Sequence, residues 1–472
     1  MNVLLINTNQ FRPPVLPIGI LCVATYLRQK GLDVEVLDLC FEDNIEEITI
    51  AYMEKYKPDL VGVGIRNIDN ILCTQSEWFL PSVSETVKLI KSISKVPIVV
   101  GGAGFSIFPE RIVEMLEMDY GIVGEGEKSF YLLTKALNNE FELENIPGLV
   151  YRDKAGILQS NTVENMTTDE LNELENVDLS FVDSEKYYNV GGVCSLQTKR
   201  GCGLGCIFCT YPVIEGKCFR LRKVSKIIEE IKYRVEINNM TYFYFVDSIL
   251  NIPWKHMDSL CDEIIKNKLD IKWFSYVSPE GFTEKRLKNM MDSGCDGIWF
   301  SVDTCSAEML VNMEKGYDIN TIENAINICR ENNIKYNLVL LLGGPGETND
   351  TLNETFDFLE KYDPNLAVIL YGLRIYPGTK LYDIALSEGI ITNDTDLLKP
   401  IFYISDKVKD TIIDTIKFRC VDHPNWYATP ETWSRQDKIK NILLEKKVED
   451  LYKSGERGPF WAIVDKIKRG EK

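Results

Sequence analysis

Twice along this chain, short apolar runs alternate with amphipathic stretches, and nothing else in the sequence narrows the fold as far. In the first series, apolar runs at 2–6, 34–37, 60–65, 98–100 and 120–123 are separated by amphipathic stretches at 18–30, 45–56, 83–93, 109–116 and 127–137. Strands that are apolar without alternation belong to a parallel sheet covered on both faces, and the intervening helices supply the cover. The series predicts an α/β, doubly wound, Rossmann-like domain over 1–140. Such sheets bind ligands beyond the carboxyl ends of their strands, which here are 7–14, 66–70, 101–106 and 124–127.

A second series begins at Val193, with strands at 194–198, 242–246, 271–276, 297–302, 336–342 and 367–373. Helical stretches at 224–237, 253–265, 284–291, 321–331 and 351–359 lie between them. Six such units predict an open, partial (β/α)6 barrel of the TIM type over 191–398, with its chemistry at the carboxyl ends of the strands. Between the two series, 141–190 reads as a hairpin around Ile146-Pro147-Gly148-Leu149-Val150-Tyr151 and an extended linker, because turn residues and charges dominate there. The remainder, 399–472, reads as a mainly helical, possible substrate-facing region with Trp426, Tyr427, Trp433 and Trp461 among its aromatics and a helix near 439–451. Its turn-rich Asp422-His423-Pro424-Asn425-Trp426-Tyr427 could line a pocket or pack as a loop, and packing is the commoner fate. His256, at the start of a barrel helix, reads as a surface or capping residue.

The first strand of the second series leads into Arg200-Gly201-Cys202-Gly203-Leu204-Gly205-Cys206-Ile207-Phe208-Cys209. Three thiolates spaced C-x3-C-x2-C suggest a 4Fe-4S cluster, whose four irons leave one open to a small molecule. The glycines let the backbone wrap closely around an inorganic core. A zinc loop or a buried cysteine trio is the alternative, but zinc prefers paired C-x2-C units and four ligands, and no second pair occurs. The 13 cysteines fit a reducing compartment. Cys194, Cys218, Cys295 and Cys305, near strand ends, read as structural. No apolar run approaches the ~20 residues that span a bilayer, and Met1 leads straight into a strand, so a cytoplasmic protein without a membrane partner is expected. A net charge of -18 argues against a nucleic-acid partner.

The cysteine spacing, with the aromatic Phe208 before the last cysteine, resembles the radical S-adenosylmethionine (SAM) superfamily. The resemblance implies that the open iron binds the amino and carboxylate groups of SAM. Other strand ends resemble further segments of that family in order: Asp247-Ser248, Tyr276-Val277-Ser278-Pro279-Glu280, Ser301-Val302-Asp303, Leu342-Gly343-Gly344-Pro345-Gly346-Glu347-Thr348 and Arg374-Ile375-Tyr376-Pro377. Asp303 stands where the family carries a longer glutamate, and Asp247 lacks the second acid of the usual pair. Phe208, Asp247, Ser278, Asp303, Gly343, Gly344 and Arg374 are the implied SAM contacts. Taken singly, Pro-Gly pairs also make turns, and barrel-end carboxylates can be solvated caps.

Leu16-Pro17-Ile18-Gly19-Ile20 with Tyr26-Leu27-Arg28, Pro58-Asp59-Leu60-Val61-Gly62, Val99-Val100-Gly101-Gly102 and Gly124-Glu125-Gly126-Glu127 resemble, in this order, the cobalamin-binding domain found before many radical SAM cores. Mutase-type cobalamin domains ligate cobalt through a histidine, and neither His256 nor His423 lies in this domain. The resemblance implies cobalamin without a histidine ligand. Asn9, Arg12, Asn67, Asp69 and Asn70 are candidates beneath cobalt, and Gly101, Gly102, Gly104, Phe105, Gly124, Glu125 and Gly126 candidates around the cofactor. A domain that keeps the fold without the cofactor is the alternative.

Together these features resemble a cobalamin-dependent radical SAM enzyme of the class B methyltransferase type. The family chemistry implies methyl transfer to an unactivated sp3 carbon, less often phosphorus, of a small molecule or peptide through a 5'-deoxyadenosyl radical and methylcobalamin. An electron donor such as flavodoxin or ferredoxin is implied too. A cyclase, ring-contracting or oxidative enzyme of the same architecture is the alternative. A cobalamin-sensing or carrier protein with a structural cluster is another, though it leaves the barrel-end segments unexplained.

Overall fold

The computed structural model describes residues 1–74, 76–428 and 435–470, with side-chain surroundings given outside 435–443. Trp433 lies outside the described residues. The chain forms two compact units: Met1–Asn70, Glu77–Lys186 and Val213–Gly216 make the first, and Ile71–Ser76, Tyr187–Pro212 and Lys217–Lys472 the second.

The first unit is built on strands β1 (Asn2–Asn7), β2 (Asp33–Asp38), β3 (Leu60–Gly64), β4 (Ile98–Gly101), β5 (Tyr120–Ile122), β6 (Leu149–Arg152) and β7 (Leu158–Ser160), in the order β2-β1-β3-β4-β5-β6-β7. The first five run parallel. Leu4, Val61 and Val100 are fully buried, as strands covered on both faces require. The cover comes from helices such as Ile18–Gln29, Leu80–Ile93 and Gly126–Leu137. Strand order reverses about β1, so the switch point opens at the carboxyl ends of β1 and β3.

The expected hairpin forms as β6 and β7 and extends this sheet, β6 pairing antiparallel with β5. The stretch after it is not an extended linker throughout. Residues Thr168–Glu173 form a helix whose start is fixed by a reciprocal capping box between Thr167 and Glu170, a T-x-x-E signal with no apolar run behind it. Further on, Phe181 lies under the Arg28 guanidinium at 3.6 Å and Asp178 pairs with the same group at 2.5 Å.

The second unit contains β8 (Cys194–Leu196), β9 (Lys199–Arg200), β10 (Arg220–Leu221), β11 (Tyr242–Phe245), β12 (Lys272–Phe274), β13 (Tyr276–Val277), β14 (Ile298–Asp303), β15 (Tyr336–Leu342), β16 (Leu366–Tyr371), β17 (Leu373–Arg374), β18 (Phe402–Tyr403) and β19 (Trp426–Ala428). Parallel pairing runs β8-β11-β12 and β13-β14-β15-β16-β19. Only Ser275 separates β12 from β13, and its hydroxyl donates to the Phe245 carbonyl at 2.7 Å. β19 adds a strand from the C-terminal region to the six expected from the pattern, its Trp426 opposite Ala367. Trp426 and Tyr427 are buried, and His423 stacks on the Trp426 ring at 3.8 Å, so the aromatic patch packs. The helix expected near 439–451 runs Arg435–Lys453.

His256 is not at the surface: it is buried on the helix Trp254–Lys266. Burial, with the Lys199 charge adding to it, lowers the affinity of its imidazole for a second proton. Among the described residues no helix is long and apolar enough to cross a membrane.

Candidate active site

The cysteine loop leaves β8 and is closed at its base by β9 pairing antiparallel with β10, Arg200 opposite Arg220. Its centre is fastened through one buried residue. Ile207 donates its N–H to the Met313 carbonyl at 3.4 Å, and its own carbonyl accepts from the Leu381 N–H at 2.9 Å. The Ser248 hydroxyl holds the Gly201 carbonyl at 2.9 Å, where φ is +86° and glycine is the residue that fits.

Beneath the loop, Lys199 is fully buried, its Nζ 2.7 Å from the Leu250 carbonyl and 3.8 Å from the Asp247 carboxylate. Burial lowers its proton affinity, and Asp247 opposes that. Asp247 also accepts from the Thr198 and Lys199 backbone N–H groups at 2.7 and 3.2 Å and from the Thr198 hydroxyl. Its side chain has no exposure at all, so in this structure it braces the chain entering the loop.

Burial pushes the Cys209 thiol up to about 12, with the charges of Cys206 and Cys202 adding to it against the Tyr211 backbone N–H. Cys206 is raised by burial too, against the Lys315 charge. Thiols so placed ionise together only around a positive centre, which an iron-sulfur core supplies. A cubane asks for three sulfurs at separate corners. The donor set therefore fits a cluster. Cys194, Cys295 and Cys305 are buried, whereas Cys218 is exposed.

The remaining barrel-end candidates divide by what their polar groups already hold. Asp303 ends β14 and forms a buried ion pair with Lys315. Ser278 exchanges two hydrogen bonds of 2.8 Å with the buried side chain of Asn251, through its backbone N–H and carbonyl. Gly343, at φ +94°, donates its N–H to the Glu347 carboxylate at 3.0 Å. Burial raises Glu347, with that N–H opposing. At Gly344 a Cβ would stand 2.7 Å from the Met313 sulfur. Arg374 spends its guanidinium on the Ile375 and Leu397 carbonyls at 2.7 and 2.8 Å. Phe208 is half-buried between Ile207 and Cys209. Lys315, Asn251 and Glu347, which hold Asp303, Ser278 and Gly343, are absent from the set of contacts implied by the sequence.

In the first unit, the cobalamin candidates gather at the carboxyl ends of β1, β3, β4 and β5. Arg12 reaches the Cys40 carbonyl at 2.9 Å, and the Asn9 N–H lies 3.4 Å from the Asn7 side chain. Asn67 is exposed. Asp69 is buried opposite Trp78, and the Asn70 side chain accepts from the Glu77 N–H at 3.1 Å. Gly101, Gly102 and Gly104 offer backbone without side chains, Gly102 with φ +104° and its missing Cβ only 2.6 Å from the Ile65 carbonyl. Phe105 is buried, its ring where a Cβ on Gly121 would stand. Gly124 donates its N–H to the Ser106 hydroxyl oxygen at 2.9 Å, Glu125 takes the Met166 N–H at 2.6 Å, and Gly126 opens the next helix. This bare, amide-rich rim suits a large cofactor with phosphate and amide groups.

Residues 5–134 match the B12 binding domain, and residues 196–359 match the radical SAM superfamily. The chain belongs to the cobalamin-dependent radical SAM enzymes. A tryptophan 2-C-methyltransferase from Streptomyces laurentii is 26% identical over 436 residues, covering 79% of this chain and 73% of its own. An uncharacterized methyltransferase from Pyrococcus horikoshii is 26% identical over 380 residues, covering 79% of each. The fold of this radical SAM enzyme is that of TsrM from Kitasatospora setae, solved with tryptophan and a SAM analogue, at a TM-score of 0.89, 24% identity and coverage of 99% and 98%.

Proposed function

We propose that this enzyme is a C-methyltransferase acting on an unactivated carbon of a small molecule or peptide in the cytoplasm. The observation that carries the reading is a C-x3-C-x2-C loop, its first cysteine buried and the other two partly so, at the end of the first barrel strand in a chain that also holds a B12 binding domain. Cys202, Cys206 and Cys209 are assigned to the 4Fe-4S cluster. When bound, the cluster supplies an electron, SAM a methyl and radical source, and cobalamin a methyl carrier.

The chain's own residues then bind and orient. Gly343 and Gly344 keep side chains away from the strand end where SAM is to lie, and Glu347 fixes the turn that presents them. Asp303, Ser278 and Phe208 are assigned to SAM, and Arg374 and Asp247 to the walls around it. Asn9, Arg12, Asn67, Asp69 and Asn70 would hold cobalamin on this rim, and none of them would supply an imidazole. The loops at Gly101–Phe105 and 124–126 receive the rest of the cofactor. The tryptophan-methylating relative supports an indole-bearing substrate as the first to try.

Anaerobic enzyme with SAM, methylcobalamin, flavodoxin or ferredoxin and indole-bearing substrates is expected to give a methylated product and S-adenosylhomocysteine by mass spectrometry. Formation of 5'-deoxyadenosine with an unmethylated, rearranged or oxidised product would overturn methyl transfer in favour of a cyclase or oxidative enzyme.

A further inference from the structure

Asp303 stands at the end of β14 with φ +66°, a conformation that residues with side chains rarely adopt. The register of β14 against β15 shifts between Ser301 and Asp303, and a bulge re-aims the side chain that follows it. Such strain persists where the surroundings over-determine it. Here they supply Lys315. Its ammonium forms an ion pair with the Asp303 carboxylate, the two side chains 7% and 8% exposed, and reaches the Ser301 carbonyl at 3.3 Å. Burial opposes the lysine charge, yet Asp303, Tyr317 and Cys206 together hold its proton above the ordinary lysine value.

The backbone around Lys315 also meets the cysteine loop. The Met313 carbonyl takes the Ile207 N–H, and the Glu314 carboxylate lies 3.6 Å from the place a Cβ on Gly205 would occupy. Contacts at Gly205 and Ile207 bracket Cys206, and the Lys315 charge acts on that thiol.

We propose that Lys315 is a positioning residue for the cluster: its ammonium, held in place by Asp303, is a fixed charge beside the cysteine loop that sets the cluster's reduction potential. This rests on the reading of Cys202, Cys206 and Cys209 as cluster ligands. Hydrogen bonds to the sulfurs and local net charge are what set such potentials. Reduction adds one electron from an external one-electron donor, with no bond made or broken. A fixed cation at a ligand sulfur favours the reduced form, more so where the dielectric is low. Asp303 partly cancels that charge. Removing either partner therefore moves the potential, and in opposite directions, which a lysine serving packing alone would not do.

The test is a dithionite titration of the anaerobically reconstituted full chain with redox mediators and without SAM, the reduced cluster read by electron paramagnetic resonance. Lys315→Met is expected to lower the ratio of reduced to oxidised cluster at a fixed poise about tenfold, or about 59 mV for one electron. Asp303→Asn is expected to raise it, and Lys315→Arg to stay near the parent. Lys315→Met strands a buried carboxylate; should it fail to fold, Asp303→Asn alone decides, and an unmoved or lowered midpoint overturns the inference. So do unmoved midpoints, or shifts of one sign, in variants with parental iron content. A parent that holds no cluster overturns the reading of the cysteine loop and this inference with it.

Discussion

Asp247 takes the Thr198 backbone N–H at 2.7 Å on one oxygen and the Thr198 hydroxyl on the other. With the Lys199 N–H and ammonium also on it, the carboxylate pins the chain just before Cys202. Asp247→Asn leaves the buried Lys199 charge without its partner, a loss of about 3–5 kcal/mol. Denaturant unfolding of the apo-protein is expected to show that loss, together with poor iron incorporation. A variant of parental stability that only loses SAM binding would contradict the bracing role.

Alanine at Cys202, Cys206 or Cys209 is expected to abolish the cluster's visible absorbance and the cleavage of SAM. Cys295 and Cys305 are as buried as core residues, and burial raises both thiols. Their single replacement is expected to leave iron and sulfide per chain at the parental value. Iron analysis separates the two groups, and retained iron in a Cys206→Ala variant would remove the ligand assignment.

The two strand-helix series were legible because periodicity needs only the local sequence, and Leu4, Val61 and Val100 report burial directly. The cysteine loop was legible because its chemistry is written in its spacing. What escaped depends on distant partners. β19 is a three-residue strand whose place is fixed by pairing with β16, and no three-residue window carries a period. His256 looked like a surface residue because its burial comes from neighbours outside its own helix. Lys315 was invisible for a related reason: its meaning lies in a strained aspartate on another strand and a thiol on another loop. The helix at Thr168–Glu173 escaped because a capping box alone, without an apolar face behind it, reads as linker.

Gly102→Ala tests the rim of the first unit. The position has φ +104°, and a Cβ would stand 2.6 Å from the Ile65 carbonyl, an atom of the backbone that cannot turn aside. The strain amounts to about 1–3 kcal/mol, and the loop after β4 must shift to relieve it. Lower thermal stability and weaker cobalamin retention, read by absorbance after gel filtration, are expected together. Gly19→Ala is the control: a Cβ there meets nothing within 4 Å, the residue lies in the helix Ile18–Gln29, and a gain of about 0.5–1 kcal/mol is expected.

Glu170 makes part of the first unit's stability depend on acid. The Thr167 backbone N–H, followed by Lys128, holds its carboxyl down at about 2 against an ordinary 4.5. A carboxylate depressed by folding contributes stability that is complete above its unfolded value and is lost as pH falls through the folded one. The window is therefore from about 4.5 down to about 2. The side chain is 38% exposed, so solvent screening keeps the contribution under about 1 kcal/mol. Glu170→Gln retains the reach of the capping box and removes the charge. Thermal unfolding of the apo-protein and this variant is expected to show a constant gap in midpoint from pH 7 to 5 that narrows below about 4.5. A gap that widens on acidification would contradict the assignment of Glu170 as the depressed group.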